Sequence, residues 1–132
     1  MMVKGLKKRL CIEYPLKKVS VSVLWTSIGT APGLSEWFAN EILVSGNEYT
    51  FIWEKNSELV ARQLDCKMNR YNRFQWIEDM GTEAYFEIRI ENEPITGQLS
   101  LLITDYVEDA DKQDHILLWN KNIDNLKHKI GI

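Results

Sequence analysis

From Glu83 to Glu91 the chain alternates without a break. Ala84, Phe86, Ile88 and Ile90 fall on one side, and Tyr85, Glu87, Arg89 and Glu91 fall on the other. Successive side chains of a strand point to opposite faces, so this segment carries one oily face and one charged face. A strand of this kind is not stable alone. It needs neighbours beside it and a cover over its apolar side.

The flanking sequence supplies neighbours. Tyr49, Phe51 and Trp53 share a face within Glu48 to Glu54, and Phe74 and Trp76 share one within Tyr71 to Glu78, with Ile77 opposed. Leu99, Leu101 and Ile103 share a face within Gly97 to Ile103, although Leu102 breaks the rule. In Leu59 to Met68 the apolar set is Val60, Leu64, Cys66 and Met68, with Arg62 as the exception. Turn residues separate these runs: Ser45-Gly46-Asn47, Asn56-Ser57, Asn69-Arg70, Asp79-Met80-Gly81 and Asn92-Glu93-Pro94. One-sided strands joined by short turns predict an antiparallel meander with a buried face and a wet face. An earlier strand is expected from Lys7 to Tyr14, ended by Pro15, whose ring removes a backbone donor.

The cover comes last in the chain. Ile116, Trp119, Ile123, Leu126 and Ile130 recur at helical spacing. Asp109, Asp111 and Asp114 stand at the N-terminal end and Lys127, His128 and Lys129 at the other, each complementing the helix dipole. Gly131 is a suitable terminator. A helix from about Ala110 to Ile130 would run roughly 30 Å, long enough to cross the sheet.

Two short helices are expected between the first strand and the meander. Ser20 caps a helix to Ile28, with Val21, Leu24, Trp25 and Ile28 on one face. Its valines make a strand the alternative. Thr30 and Pro32 start a second helix, in which the run GLSEWFAN (33–40) forms a short apolar piece.

The 132 residues fit one domain, expected to span 1–132, with a core that needs neither disulfide nor metal. A formal net charge of −3 argues against non-specific nucleic-acid binding, so no nucleic-acid partner is expected. Lys67, Arg70 and Arg73, interleaved with Tyr71 and Phe74, are the residues that would contest this. Lys4, Lys7, Lys8 and Arg9 read as the solvated start of a strand or as a patch for an anionic partner. Cys11 and Cys66 form no CxxC unit and read as small buried residues in a reducing compartment. No apolar run approaches the length of a membrane span, and the start lacks a signal-peptide core. A cytoplasmic protein is expected.

Motifs for chemistry are sparse. His115 and His128 lack partners at metal-ligand spacing. The run Glu108-Asp109-Ala110-Asp111 lacks the spacing of a calcium loop. No phosphate-binding glycine motif is present. No metal and no cofactor are expected.

The order of elements, together with Gly33-Leu34-Ser35-Glu36-Trp37-Phe38-Ala39, Phe51-Ile52-Trp53, Tyr85-Phe86-Glu87-Ile88, Ile103-Thr104-Asp105-Tyr106 and Leu118-Trp119 with Ile123 and Leu126, resembles the START-like or Bet v 1-like (SRPBCC) superfamily. Within it the chain is most similar to the group holding the C-terminal domain of activators of the Hsp90 ATPase. The resemblance implies an α+β helix-grip fold: a curved antiparallel sheet of about seven strands around a long C-terminal helix. It also implies a cavity for lipids, sterols or polyketide-like ligands. The residues expected to line it are Trp25, Phe38, Phe51, Trp53, Trp76, Phe86, Ile88, Leu101, Trp119 and Ile123. Trp37 and Phe74 complete the inward aromatic set, which packing alone would also explain. Arg62 and Glu78 are candidate polar handles. A non-enzymatic binder of a small hydrophobic ligand is the first expectation. The alternatives are a protein-interaction module like the chaperone activators, and an enzyme drawing on Tyr14, Glu78, Tyr85 and Asp105.

Overall fold

The computed structural model describes residues 6–54 and 56–132; Lys4 of the basic cluster lies outside them. Strand β1 (Lys8–Leu16) leads into helix α1 (Val21–Gly29) and the single turn α2 (Ala31–Leu34). Six strands follow: β2 (Glu41–Ser45), β3 (Glu48–Ile52), β4 (Glu58–Lys67), β5 (Tyr71–Trp76), β6 (Phe86–Asn92) and β7 (Leu99–Val107). Helix α3 (Lys112–Ile130) closes the chain. The sheet has seven strands in the order β1-β7-β6-β5-β4-β3-β2, with every neighbouring pair antiparallel. The chain therefore starts at one edge, crosses through α1 and α2 to the other, and winds back until β7 lies beside β1. This is the helix-grip architecture.

Local chemistry explains most boundaries. Ser20 is extended and its Oγ accepts the Val23 amide at 3.2 Å, which starts α1. Thr30 ends α1 and starts α2 at once: its hydroxyl donates to the Thr26 carbonyl at 2.7 Å and accepts the Gly33 amide at 3.0 Å. The turns at Gly46, Asn56, Asn69, Gly81 and Gly97 all have positive φ, as their residue types suggest. Gly131 ends α3 in the left-handed conformation, φ 82°, with its amide on the His128 carbonyl.

The core lies between the sheet and α3. Phe51, Phe74, Phe86, Ile88, Leu101 and Ile103 from the sheet meet Trp119, Ile123 and Leu126 from the helix, all buried. Burying one such side chain contributes about 1.5–3 kcal/mol. Phe38 touches rings from three directions, with centroids at 5.7 Å from Trp37, 5.2 Å from Phe51 and 5.6 Å from Trp119.

Four expectations need correction. Pro15 does not end β1; it pairs with Ser100, and Leu16 pairs with Leu99. The strand is an edge strand, where proline's missing donor is tolerated. GLSEWFAN is not a helix: α2 stops at Leu34, and residues 35–38 form a turn held by side-chain anchors such as Trp37 Nε1 to the Ser27 carbonyl at 2.8 Å. In β4 the inward residue is Ala61, fully buried between Tyr49 and Trp76, while Leu64 and Met68 are 46% and 72% exposed. Two large rings leave room for a methyl group and no more, and a bulge between Gln63 and Asp65 resets the register. Cys11 and Cys66 are exposed thiols, not buried fillers.

The outer face of the sheet is not uniformly wet either. Glu87 is buried there at 4% exposure, under Arg73 and Arg89, which donate to it at 2.6 Å and 3.0 Å. Burial alone would raise its pKa; the hydrogen bonds from Arg89 and Arg73 outweigh that and hold it below the usual glutamate value. Tyr71 lies against both guanidinium groups and donates to Asp65 at 2.5 Å. Arg73 and Tyr71, read above as possible nucleic-acid contacts, are thus partners within the sheet face.

Candidate functional site

A cleft of about 370 Å³ opens between the N-terminal half of α3 and the ends of β3, β5 and β7. Its wall carries Phe38, Trp53, Trp76, Phe86 and Trp119, all expected to line a cavity. The remaining expected residues lie elsewhere. Phe51, Ile88, Leu101 and Ile123 are packed solid in the core, at 0–1% exposure, and do not reach the cleft. Trp25 is half-buried on α1, its ring folded over Gly29, away from the cleft wall. Meeting rings fill the interior that a more open grip would leave empty, so free volume survives at one end.

The indoles in the wall are held in place. Trp53 Nε1 donates to the Phe38 carbonyl at 2.8 Å, and Trp119 Nε1 donates to Asp105 Oδ2 at 2.8 Å. A buried indole N–H usually finds such a partner, and the bond fixes the ring. Trp76 packs against Phe86 with ring centroids 4.8 Å apart and planes tilted by 30°.

A polar rim completes the cleft. Asp105 is 8% exposed; its Oδ1 accepts its neighbour Tyr106's amide at 2.8 Å, and its Oδ2 lies 3.5 Å from His115 Nδ1. The Asp105 hydrogen bond raises the His115 pKa above the ordinary histidine value, against the opposing effect of burial. Lys7 Nζ donates to Asp79 at 2.8 Å and stands 3.9 Å from Glu78. Burial disfavours the Lys7 charge, but the Asp79 bond outweighs it and its pKa rises. Glu108 and Asp111 also face the cleft, from the turn before α3.

Of the candidate handles, Glu78 lines the cleft, whereas Arg62 pairs across the sheet with Glu48 and Gln75 and does not. Of the residues considered for catalysis, Glu78 and Asp105 are at the cleft. Tyr85 is on the outer face against Tyr106, and Tyr14 donates to Asn120 of α3 at 2.6 Å. His115, for which the sequence proposed no role, is a rim residue. Two sequence signals could have found the pair: Asp105 continues the inward parity of Leu101 and Ile103, and His115 stands one helical turn before Trp119. Among the described residues no group of three or more His, Cys, Asp or Glu converges to hold a metal ion. No helix among them is long and apolar enough to cross a membrane.

A sheet gripping a terminal helix, with an aromatic cleft at one end of the grip, defines the helix-grip class of proteins. The profile of the START-like superfamily domain matches residues 4–132, and the chain belongs to that superfamily. A Bacteroides fragilis protein solved by solution NMR is 31% identical over 96% of this chain and 93% of its own, with a TM-score of 0.66. The Aha1 dimer from Colwellia psychrerythraea is similar at 17% identity, 91% and 93% coverage and a TM-score of 0.72. CalU16 from Micromonospora echinospora is similar at 15% identity, 94% and 74% coverage and a TM-score of 0.67. The last two likenesses show a shared fold. No curated protein sequence matches the chain.

Proposed function

We propose that this START-like domain binds a small hydrophobic ligand in the cleft at the head of α3 and does no chemistry on it. The observation that carries the reading is the wall itself: Phe38, Trp53, Trp76, Phe86 and Trp119 around about 370 Å³, with indoles fixed before a ligand arrives. Ligand sites are concave, mostly apolar and largely preformed, with a few polar groups for orientation. Affinity would come from apolar burial at about 25 cal/mol per Å², and orientation from the rim. Binding is favoured over turnover because Asp105 is engaged by Trp119, the Tyr106 amide and His115. Free, exposed thiols at Cys11 and Cys66 suit a reducing compartment such as the cytoplasm.

Native mass spectrometry after mild purification, followed by tryptophan-fluorescence titration with fatty acids, sterols and long-chain alcohols and amines, tests this. A bound species, or saturable quenching lost in Trp119→Ala and Trp53→Ala, is the expected result. A protein that comes out empty and shows no saturable response to any apolar compound overturns it.

A protein-interaction role has one specific support. The edge strand β2 exposes Leu43 and Val44, at 53% and 47%, beside an unpaired backbone edge. Recovery of an Hsp90-type chaperone by pull-down, lost in Leu43→Lys, is what that reading expects.

A further inference from the structure

The charges around the cleft do not balance. Its two cations are outnumbered by acids: Lys7 donates to Asp79 at 2.8 Å, and His115 lies 3.5 Å from Asp105, with Asp111 also favouring its charged form. Glu78 shares Lys7 at 3.9 Å. Glu108 and Asp111 remain. Each occupies the capping position of a helical segment, yet neither side chain makes a capping hydrogen bond. Among the described residues no hydrogen bond or ion pair holds either carboxylate, and both face the cleft. Compensation of the helix dipole explains acids at this end of α3. It does not explain why they look into a box of aromatic rings. Ring faces carry negative potential and attract organic cations, the more so when the cation is desolvated. Carboxylates at the mouth and π-faces in the wall therefore select the same chemistry.

We infer that the ligand of this cleft is an amphipathic organic cation, an amine or quaternary ammonium on an apolar body, with its head between Glu108, Asp111 and the ring faces at the mouth and its body deeper along the wall of Trp53, Trp76 and Trp119. The inference rests on the ligand-binding reading above and narrows it. A fatty acid or other anionic amphiphile would bring its carboxylate up to a rim on which acids outnumber cations and is disfavoured.

Three probes of equal chain length separate the terms: decyltrimethylammonium, decan-1-ol and decanoate, each titrated below its micelle concentration by tryptophan fluorescence and calorimetry. The cation should bind at least about tenfold more tightly than decanoate, with decanol between them. Raising salt from about 20 to 300 mM should weaken the cation and leave decanol unchanged. The double variant Glu108→Gln, Asp111→Asn should bring cation and decanoate within about threefold, while decanol still binds saturably to a protein that melts cooperatively. Decanoate binding as tightly as the cation, or a preference that ignores both salt and the double variant, overturns the inference while leaving the apolar site standing. Failure of all three probes to bind overturns both.

Discussion

Asp105 sits where two sequence patterns cross. The parity of β7 turns it inward, and the helical repeat of α3 brings His115 and Trp119 to it. It is a carboxylate in an apolar neighbourhood whose oxygens are both engaged. Asp105→Asn keeps the shape but puts an N–H where one of two donors now points. A melt at about pH 8 should show a loss of about 1–3 kcal/mol, the usual cost of one unmatched buried donor. A variant as stable as the parent would mean that water or a shifted side chain already serves one of the bonds. His115 gives a pH-dependent signature. Its folded pKa is raised from the ordinary 6.5, so the protonated form is the one the fold favours. That stabilisation is fully present below the unfolded value and is lost as pH rises through the folded value. His115→Gln should therefore cost about 0.5–1 kcal/mol near pH 5, a modest figure because the ring is 40% exposed, and nothing near pH 9. Equal losses at both pH values would show that the ring acts through packing. Glu87 reads in the opposite sense. Its alternation assigned it to solvent, and the structure buries it, because Arg73 and Arg89 from neighbouring strands fold over it. Such a cover depends on which strands are adjacent, which no single strand's pattern reveals.

At the scale of elements, the junction of α1 and α2 is the most tightly specified part of the chain. A Cβ on Gly33 would stand 1.8 Å from the Thr26 carbonyl oxygen, the atom that also accepts the Thr30 hydroxyl at 2.7 Å. The obstruction is backbone, so it yields only if α2 moves. Gly33→Ala should destabilise by about 3 kcal/mol, the upper range for overpacking, and lower the melting temperature by about 10 °C. A melting point within about 2 °C of the parent would show that α2 is loosely docked. The same junction shows how legible the elements were. Ser20 and Thr30 announced both helix starts because a cap acts on amides two or three residues away. Trp37 and Phe38 were misplaced on a helix, since their spacing matches one. Their positions come instead from Ser27 and from the rings of Phe51 and Trp119, which are distant in sequence.

For the molecule as a whole, the sheet is completed only when β1 meets β7. Cys11 pairs with Thr104, and Leu16 with Leu99, so most of the chain must be in place first. Non-local strand pairing of this kind folds slowly, in milliseconds to seconds. Stopped-flow refolding followed by tryptophan fluorescence should show its main phase there. A main phase in microseconds would mean that the fluorescence reports local collapse of α3. Phe38 is where the two halves of the molecule meet, and Phe38→Ala should cost about 3–5 kcal/mol in urea titration.

Periods of two and of 3.6, caps and turn residues are local properties, carried by residues a few positions apart. They sufficed for the order of the elements, the covering helix and most of the inward aromatic set, and failed at the end of β1, the end of α2 and the inward face of β4. The interior volume was not local. Whether Phe51, Ile88 and Leu101 line a space or fill one depends on what stands opposite them, and Trp119, Ile123 and Phe38 stand there. Packing therefore closed most of the grip and left a cleft at one end, where the turn from β7 into α3, carrying Asp105, Glu108, Asp111 and His115, meets the aromatic wall.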